Sequence, residues 1–135
     1  MNRIEVKSNE YKISDLADEL VFYTEELDDE IACSFFSKKL KKVALARNIS
    51  NEQLKQLINE MNPNRIVEPE LIRIQLIGGA AGSEKSKGYL TQFIETLKTI
   101  DNESDMINII SYDTMERFHP NSLGIDCYHG GIIPL

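Results

Sequence analysis

The first part of the chain alternates between short apolar runs and polar segments, a pattern typical of β-strands separated by loops. Arg3–Ile13 alternates weakly and predicts one short strand. Ser14-Asp15 is able to cap a short helix, which we expect over Leu16–Leu20. The aromatic and β-branched run Val21–Thr24 predicts a strand, and the acidic segment Glu25–Glu30 predicts a loop.

Two apolar runs on either side of a lysine-rich turn predict an antiparallel hairpin. Its strands are Ile31–Phe36 and Val43–Ala46, and its long turn, Ser37–Lys42, contains four lysines. A lysine run also occurs in nucleic-acid-binding patches. Because the chain as a whole is acidic, we interpret this run as a solvated turn.

The middle of the chain predicts a helix followed by a strand. Ser50 and Gln53 have the spacing of a capping box, and apolar residues then recur at helical intervals. Pro63 and the asparagines beside it end this helix. Leu71–Ile77 alternates between apolar and polar residues, which predicts the clearest strand of the chain.

The last part of the chain predicts a second helix and then a β-rich end. The helix begins near Ser83 or Ser86 and carries an apolar stripe. The segments expected after it are the strand Met106–Tyr112 ending in Asp113, the loop Thr114–Asn121, the strand Leu123–Tyr128 and the closing strand Ile132-Ile133. This order of elements predicts one α+β domain over residues 1–135, a layered sandwich of mixed β-sheet flanked by helices.

Charge and composition narrow the classes of partner. The chain of 135 residues has 15 Lys and Arg against 22 Asp and Glu, a net charge of −7. Duplex nucleic acid and anionic membranes require a basic face, so we expect neither as the main partner. No apolar run approaches the roughly 18 residues of a spanning helix, and the polar segment Met1–Glu10 is unlike a signal peptide. We therefore expect a cytoplasmic protein, although a secreted effector without a cleavable signal has the same features. The abundance of Ile, Asn, Lys and Glu fits an AT-rich bacterial genome, so we expect a bacterial origin.

The cysteines and histidines provide few candidates for catalytic or metal-binding residues. The chain has two cysteines, Cys33 and Cys127, which we expect to be reduced thiols because no export signal is present. With His119 and His129 they fit no zinc spacing, so we predict neither a metal nor a cofactor. Cys33 lies in an apolar run and is expected in the core. We expect Cys127 to be buried and His129, which precedes Gly130-Gly131, to lie in a turn. Because the two residues share a face if they lie on one strand, a thiol–imidazole pair is the alternative.

A glycine-rich segment resembles a phosphate-binding loop. The residues Gly79–Ser86 fit the pattern G-x-x-x-x-G-K-S except that Glu84 replaces the second glycine. A carboxylate at that position repels phosphate, and the alternative is a tight strand-to-helix turn that requires glycine. Asp113, at the end of a predicted strand, is placed like a magnesium-binding aspartate. Nucleotide binding is therefore a further hypothesis.

The predicted hairpin and the glycine turn together resemble a known enzyme superfamily. Glu30–Phe36, the lysine turn and Val43–Arg47 are similar to the active-site hairpin of CheD chemoreceptor glutamine deamidases and of protein N-terminal asparagine amidohydrolases. Ile74–Ala80 before a helix is similar to their strand–Gly-Gly–helix segment. Gly124–Tyr128, with the closing strand, is similar to the final hairpin of the asparagine amidohydrolases. The resemblance covers about residues 20 to 135.

The resemblance implies a CheD-like fold and hydrolysis of a side-chain carboxamide. In these families a cysteine at the start of the first strand attacks the amide carbon. A histidine that ends the second strand, seventeen residues later, acts as base and then as acid. An upstream Thr or Ser orients this histidine, and Thr24 is the nearest candidate here.

The chain departs from the family at both reactive positions. Glu30 stands at the position of the nucleophile and Arg47, seventeen residues later, at that of the base. Glutamate forms no thioester, and arginine stays protonated, so neither replaces the lost group. Their charges are opposite, so the two side chains are able to form an ion pair. Cys33 lies an odd number of residues after Glu30 and therefore faces the other side of the strand.

Three functional hypotheses follow. The first is a non-catalytic module that binds a protein through Glu30, Arg47, Gly78 and Gly79, with Thr24 as a possible third member of the lost catalytic set. The second is an active Gln or Asn deamidase that uses a relocated cysteine and histidine. The third is the nucleotide-binding domain. The sequence leaves the oligomeric state open.

Overall fold

The structure is a computed structural model that describes residues 2–78, 83–102, 109–115 and 122–134. It contains the helices α1 (Asn51–Met61) and α2 (Glu84–Asn102). The strands in the described residues are β1 (Asn2–Glu5), β2 (Glu10–Asp15), β3 (Leu20–Thr24), β4 (Ile31–Ser37), β5 (Lys42–Arg47), β6 (Ile72–Gly78), β7 (Ile110–Met115), β8 (Leu123–Asp126) and β9 (Ile132–Pro134). The predicted α+β class is confirmed.

The strands form two mixed sheets. The larger sheet has the order β2-β5-β4-β6-β7, and only its β6–β7 pair is parallel. The helix α2 lies between β6 and β7 in the chain, as a crossover connection requires. The smaller sheet has the order β1-β3-β8-β9, with β1 and β3 parallel and the other pairs antiparallel. The predicted hairpin of β4 and β5 is confirmed.

The larger sheet is the middle layer because its two faces belong to different cores. On β4, Cys33 and Phe35 pack with residues of both helices, such as Leu57 and Phe93. Ala32, on the opposite face, belongs to a second cluster with residues of the smaller sheet. The period of two along a strand separates these clusters. Helices, larger sheet and smaller sheet thus form three layers, in agreement with the predicted sandwich.

The first helix begins as its capping box predicts. The Ser50 hydroxyl accepts a hydrogen bond from the Gln53 N–H at 3.1 Å, and the Gln53 side chain accepts one from the Ser50 N–H at 3.0 Å. Leu54, Leu57, Ile58 and Met61 are buried. In α2, Ser83 precedes the first residue and accepts a hydrogen bond from the Ser86 N–H at 3.3 Å. The capping residues therefore determine where both helices begin.

Two predictions near the N-terminus are wrong. The segment Arg3–Ile13 contributes two strands, β1 and β2, to different sheets rather than one short strand. No helix forms over Leu16–Leu20. Instead the Leu16 N–H donates to the carbonyl of Lys41 and the Ala17 N–H to that of Cys127, both at 3.1 Å. Tertiary hydrogen bonds have replaced the local helical ones.

The strand ends in the last part of the chain also differ from prediction. β7 continues past Asp113 to Met115, so Asp113 and Thr114 lie within the strand. β8 ends at Asp126 instead of Tyr128, because the Asp126 carboxylate accepts the Tyr128 N–H at 2.8 Å and turns the chain. The start of the predicted strand Met106–Tyr112 and the loop with His119 lie partly outside the described residues. In the described part, no helix has the length and apolar character needed to span a membrane.

Candidate functional site

The β4–β5 hairpin brings residues 30 and 47 to the same end of the larger sheet. Glu30 immediately precedes β4, and Arg47 is the last residue of β5 and pairs with Ala32. Arg47 shares a strand face with Val43 and Leu45, which belong to the core between the two sheets. The side chain of Arg47 therefore lies at the edge of that core.

Glu30 and Arg47 form the ion pair that their charges allow. Arg47 Nε donates to Glu30 Oε1 at 3.0 Å, and Nη2 lies 2.9 Å from the same oxygen. The side chains are only 11% and 18% exposed for Arg47 and Glu30 respectively. A pair so largely removed from water requires good geometry and additional hydrogen bonds to be stable. Both are present, as the remaining contacts of the two side chains show.

The other N–H groups of Arg47 donate hydrogen bonds to Thr24 and to the acidic loop. Nη1 donates to the Thr24 hydroxyl at 3.1 Å and to the carbonyl of Glu25, and Nη2 donates to the carbonyl of Glu26 at 2.7 Å. Thr24 is fully buried and donates its own hydroxyl proton to the carbonyl of Val6 at 2.7 Å. Arg47 thus contacts both of the other candidate residues, Glu30 and Thr24, and fixes the backbone of the acidic loop.

The second oxygen of the Glu30 carboxylate has a partner that the sequence did not indicate. It accepts a hydrogen bond from the hydroxyl of Ser8. Ser8 lies in the polar segment between β1 and β2, 22 residues before Glu30. No local pattern identifies this serine, because only the tertiary structure brings it to the carboxylate.

Gly78 allows the end of β6 to approach the acidic loop closely. Its φ is +99°, a backbone conformation that side-chain-bearing residues rarely adopt. A Cβ atom here is 3.0 Å from Leu27 Cδ1 and 3.4 Å from the Glu30 carbonyl oxygen. Glycine is therefore required at this position by conformation and by space. Gly79 lies outside the described residues, and a binding role for either glycine stays a prediction.

Neither cysteine is available as a nucleophile in this conformation. Cys33 is fully buried on the helix side of β4, opposite Glu30, as its odd spacing predicts. Burial raises the pKa of the Cys33 thiol well above its ordinary value. Cys127 is also fully buried, and burial raises its thiol pKa to about 11. Thiolates, not thiols, attack amide carbons, so both environments oppose catalysis.

The structure supports a buried Cys127 and a His129 in a turn, and not the alternative in which the two side chains pair on one strand. β8 ends before both residues, and the Cys127 sulfur lies against the carbonyl of Ile125 at 3.9 Å. His129 is exposed, and its Nδ1 lies 2.9 Å from Asp126 Oδ2. This contact contributes to a lowered pKa of the Asp126 carboxyl, after the larger effect of the Tyr128 N–H. His119 lies outside the described residues.

The segment that resembles a phosphate loop is described only from Ser83 onward. α2 begins at Glu84, and the buried Ser86 donates its hydroxyl proton to the carbonyl of Asp29 at 2.6 Å. In a phosphate loop this hydroxyl binds magnesium. Here it anchors the acidic loop to α2. Across the described ranges, no group of three or more His, Cys, Asp or Glu is arranged to hold a metal ion.

Comparison with known proteins identifies one relative at high identity. No protein-family model matches the chain. An uncharacterized protein of Rickettsia conorii (strain Malish 7) is 46% identical over 67 residues, which is 50% of this chain and 88% of the relative. Similarity of this extent over most of the relative places both proteins in one family. The relative's name gives no activity, so we infer a function from the chemistry of the site.

Proposed function

We propose that this chain, which belongs to the same family as an uncharacterized protein of Rickettsia conorii, is a non-catalytic protein-binding module of the bacterial cytoplasm. It has a deamidase-like domain without the Cys/His pair. The observation that carries this proposal is the contact of Arg47 with both Glu30 and Thr24. These residues stand where the resemblance expects the nucleophile, the base and the residue that orients the base.

The chemistry of these side chains supports binding rather than catalysis. The carboxylate of Glu30 accepts hydrogen bonds from Arg47 and Ser8, so both of its oxygens have protein partners. Arg47 carries a permanent positive charge and accepts no proton. Both cysteines are fully buried. A covalent amidase mechanism needs an accessible thiolate beside a base, and the described residues supply no accessible thiolate.

Rigidity of the acidic loop supports a binding role for the same site. Arg47 holds the carbonyls of Glu25 and Glu26, and Ser86 holds that of Asp29. The side chains of these three acidic residues remain exposed. A loop fixed before binding loses less conformational entropy when a partner docks. Glu30 and Arg47 thus act by holding a surface in place rather than by reacting with a substrate.

Release of ammonia from protein carboxamides tests the non-catalytic part of the proposal. The wild-type chain is incubated with an unfolded, glutamine- and asparagine-rich protein, and ammonia is measured against a sample without the chain. We expect the two samples to release ammonia at the same rate. Release that depends on the chain and is abolished by Cys33→Ala or Cys127→Ala indicates an active cysteine deamidase and overturns the proposal.

A further inference from the structure

A cavity on the helix side of the larger sheet has no role in the function proposed so far. Its volume is about 520 Å³, within the range of roughly 300–1,000 Å³ typical of ligand sites. It is formed where the N-terminus of α1 meets α2 and the turn before β2. The residues that line it are Asn9, Asn48, Ile49, Ser50, Asn51, Gln53, Tyr89, Gln92 and Phe93. One of these residues, Asn48, directly follows Arg47 in the sequence.

The lining is uncharged and combines polar side chains with the apolar surface of Ile49, Tyr89 and Phe93. Five of the described lining residues are asparagine or glutamine, and none of the nine is acidic or basic. This is unusual in a chain of which 27% is charged. Burying an unpaired charge in such a cavity costs far more than burying a neutral polar group that finds hydrogen bonds. The cavity therefore favours an uncharged ligand with hydrogen-bond donors and acceptors.

Internal hydrogen bonds hold part of this lining in place. Gln53 donates to the carbonyl of Asn9 at 2.8 Å and accepts from the Ser50 N–H, so both ends of its carboxamide are used. Asn48 donates to Asn9 Oδ1 at 3.4 Å. Tyr89 donates its hydroxyl proton to the carbonyl of Ile49 at 2.8 Å. The wall of the cavity is thus organised before any ligand arrives.

Two carboxamides remain available to a ligand. Asn51 and Gln92 are exposed, and within the described part of the chain neither side chain makes a hydrogen bond. They lie on different helices, α1 and α2, and Phe93 and Ile49 below them are each only 2% exposed. Each carboxamide presents one acceptor and two donor protons. This set matches a peptide group, which has one donor and one acceptor.

We infer that this cavity binds an extended, uncharged peptide segment of the partner protein, with Asn51 and Gln92 holding its backbone. The inference rests on the proposed binding function and adds to it a second contact surface, separate from the acidic loop. A neutral saccharide has similar hydrogen-bonding groups, but it usually also stacks on an exposed aromatic face. Phe93 is buried, and Tyr89 is partly buried with its hydroxyl bonded inside the fold. The lining therefore favours a peptide backbone over a sugar ring.

Peptide selection followed by an affinity measurement tests the inference. A phage-displayed library of random dodecapeptides is selected on the full chain, and the most enriched peptide is synthesised and titrated by fluorescence anisotropy. The double variant Asn51→Ala/Gln92→Ala removes the two free carboxamides. The matched control is Gln56→Ala/Asn59→Ala, because these residues are exposed on α1 and are absent from the lining. Urea unfolding of both variants verifies that they remain folded.

We expect an enriched peptide poor in charged residues whose Kd rises about tenfold or more in the cavity variant and less than about twofold in the control. If the peptide binds the two variants with equal affinity, the cavity is not its binding site, but the proposed binding function is not contradicted. If no peptide is enriched, or if the chain binds neutral oligosaccharides instead of peptides, the inference that the ligand is a peptide is wrong. Ammonia release by the chain overturns the proposed function itself, whatever the peptides do.

Discussion

Arg47 connects three segments of the chain through one guanidinium group. Its donors meet the Glu30 carboxylate, the Thr24 hydroxyl and the carbonyls of Glu25 and Glu26. The planar arrangement of five N–H groups makes arginine the only side chain able to serve these acceptors together. A lysine keeps the charge but presents a single nitrogen. The contacts therefore depend on guanidinium geometry and not on charge alone.

We predict that Arg47→Lys lowers the free energy of unfolding by about 2 kcal/mol, because several hydrogen bonds of about 1 kcal/mol each are lost while the charge is kept. Urea unfolding monitored by circular dichroism measures this loss. The control is Lys39→Met, which removes an exposed ion pair with Glu68 and is expected to cost about 0.5 kcal/mol or less. A loss for Arg47→Lys as small as that of the control contradicts the observed set of contacts.

The sequence could predict part of this residue-scale arrangement. Residues 30 and 47 flank a hairpin whose strands and turn are clear from the hydrophobic pattern, and their opposite charges indicate a pair. The contact of Ser8 with Glu30 could not be predicted, because it joins two segments that no local pattern relates. The buried position of Cys33 follows from the period of two along β4. The end of β8 at Asp126, and with it the separation of Cys127 from His129, depends on one side-chain turn.

At the scale of elements, two glycines differ in whether their position has room for a side chain. Gly88 lies within α2 and is exposed, and a Cβ atom there meets nothing within 4 Å. Gly130 lies in the turn between β8 and β9 with φ of +71°, and a Cβ atom there is 2.5 Å from the ring of Phe36. The first glycine weakens its helix, whereas the second is required by its turn.

We expect Gly88→Ala to raise the free energy of unfolding by about 0.5–1 kcal/mol, since alanine is the better helix former and restricts the unfolded chain. Gly130→Ala, the same substitution in the turn, is expected to lower it by about 1–3 kcal/mol through backbone strain and overlap with Phe36. Chemical unfolding of the two variants and the wild type measures both changes. A loss of stability in Gly88→Ala contradicts the open surroundings described for this position.

Elements with strong local signals were predictable, and elements decided by distant contacts were not. The capping box of α1 and the alternating pattern of β6 each depend only on residues close together in the sequence, and both elements form as predicted. The segment Leu16–Leu20 has a plausible cap, yet its backbone bonds to Lys41 and Cys127 instead. Such bonds reflect the docking of the segment between two sheets, which a local pattern cannot reveal.

At the scale of the whole molecule, the layered arrangement puts the candidate site at one end of the core between the sheets. Thr24 comes from the smaller sheet, Arg47 from the larger one, and Glu30 from the loop that connects them. The hydrophobic pattern predicts the strands and the α+β class. The parallel pairing of β1 with β3 joins segments eighteen residues apart in register, and no periodicity in the sequence specifies it.

Introducing a Cys/His pair at residues 30 and 47 tests whether the fold can hold these two side chains close enough to act as the reactive pair of an amidase. We predict that the thiol introduced in Glu30→Cys/Arg47→His has a pKa about 1–3 units below that in Glu30→Cys/Arg47→Gln, because a protonated imidazole stabilises a thiolate and a carboxamide does not. The pH dependence of alkylation at residue 30, followed by mass spectrometry, measures both pKa values. Identical profiles contradict the proposed correspondence with the dyad.

The absence of an accessible thiolate is the central claim, and native-state alkylation tests it most directly without knowledge of a substrate. The wild-type chain is treated with iodoacetamide at pH 8, folded and in urea, and modification of Cys33 and Cys127 is followed by mass spectrometry. Because burial raises both thiol pKa values, we predict that each cysteine reacts at least about a hundredfold more slowly in the folded chain. Reaction of either cysteine as fast as in urea, or faster, contradicts the non-catalytic account.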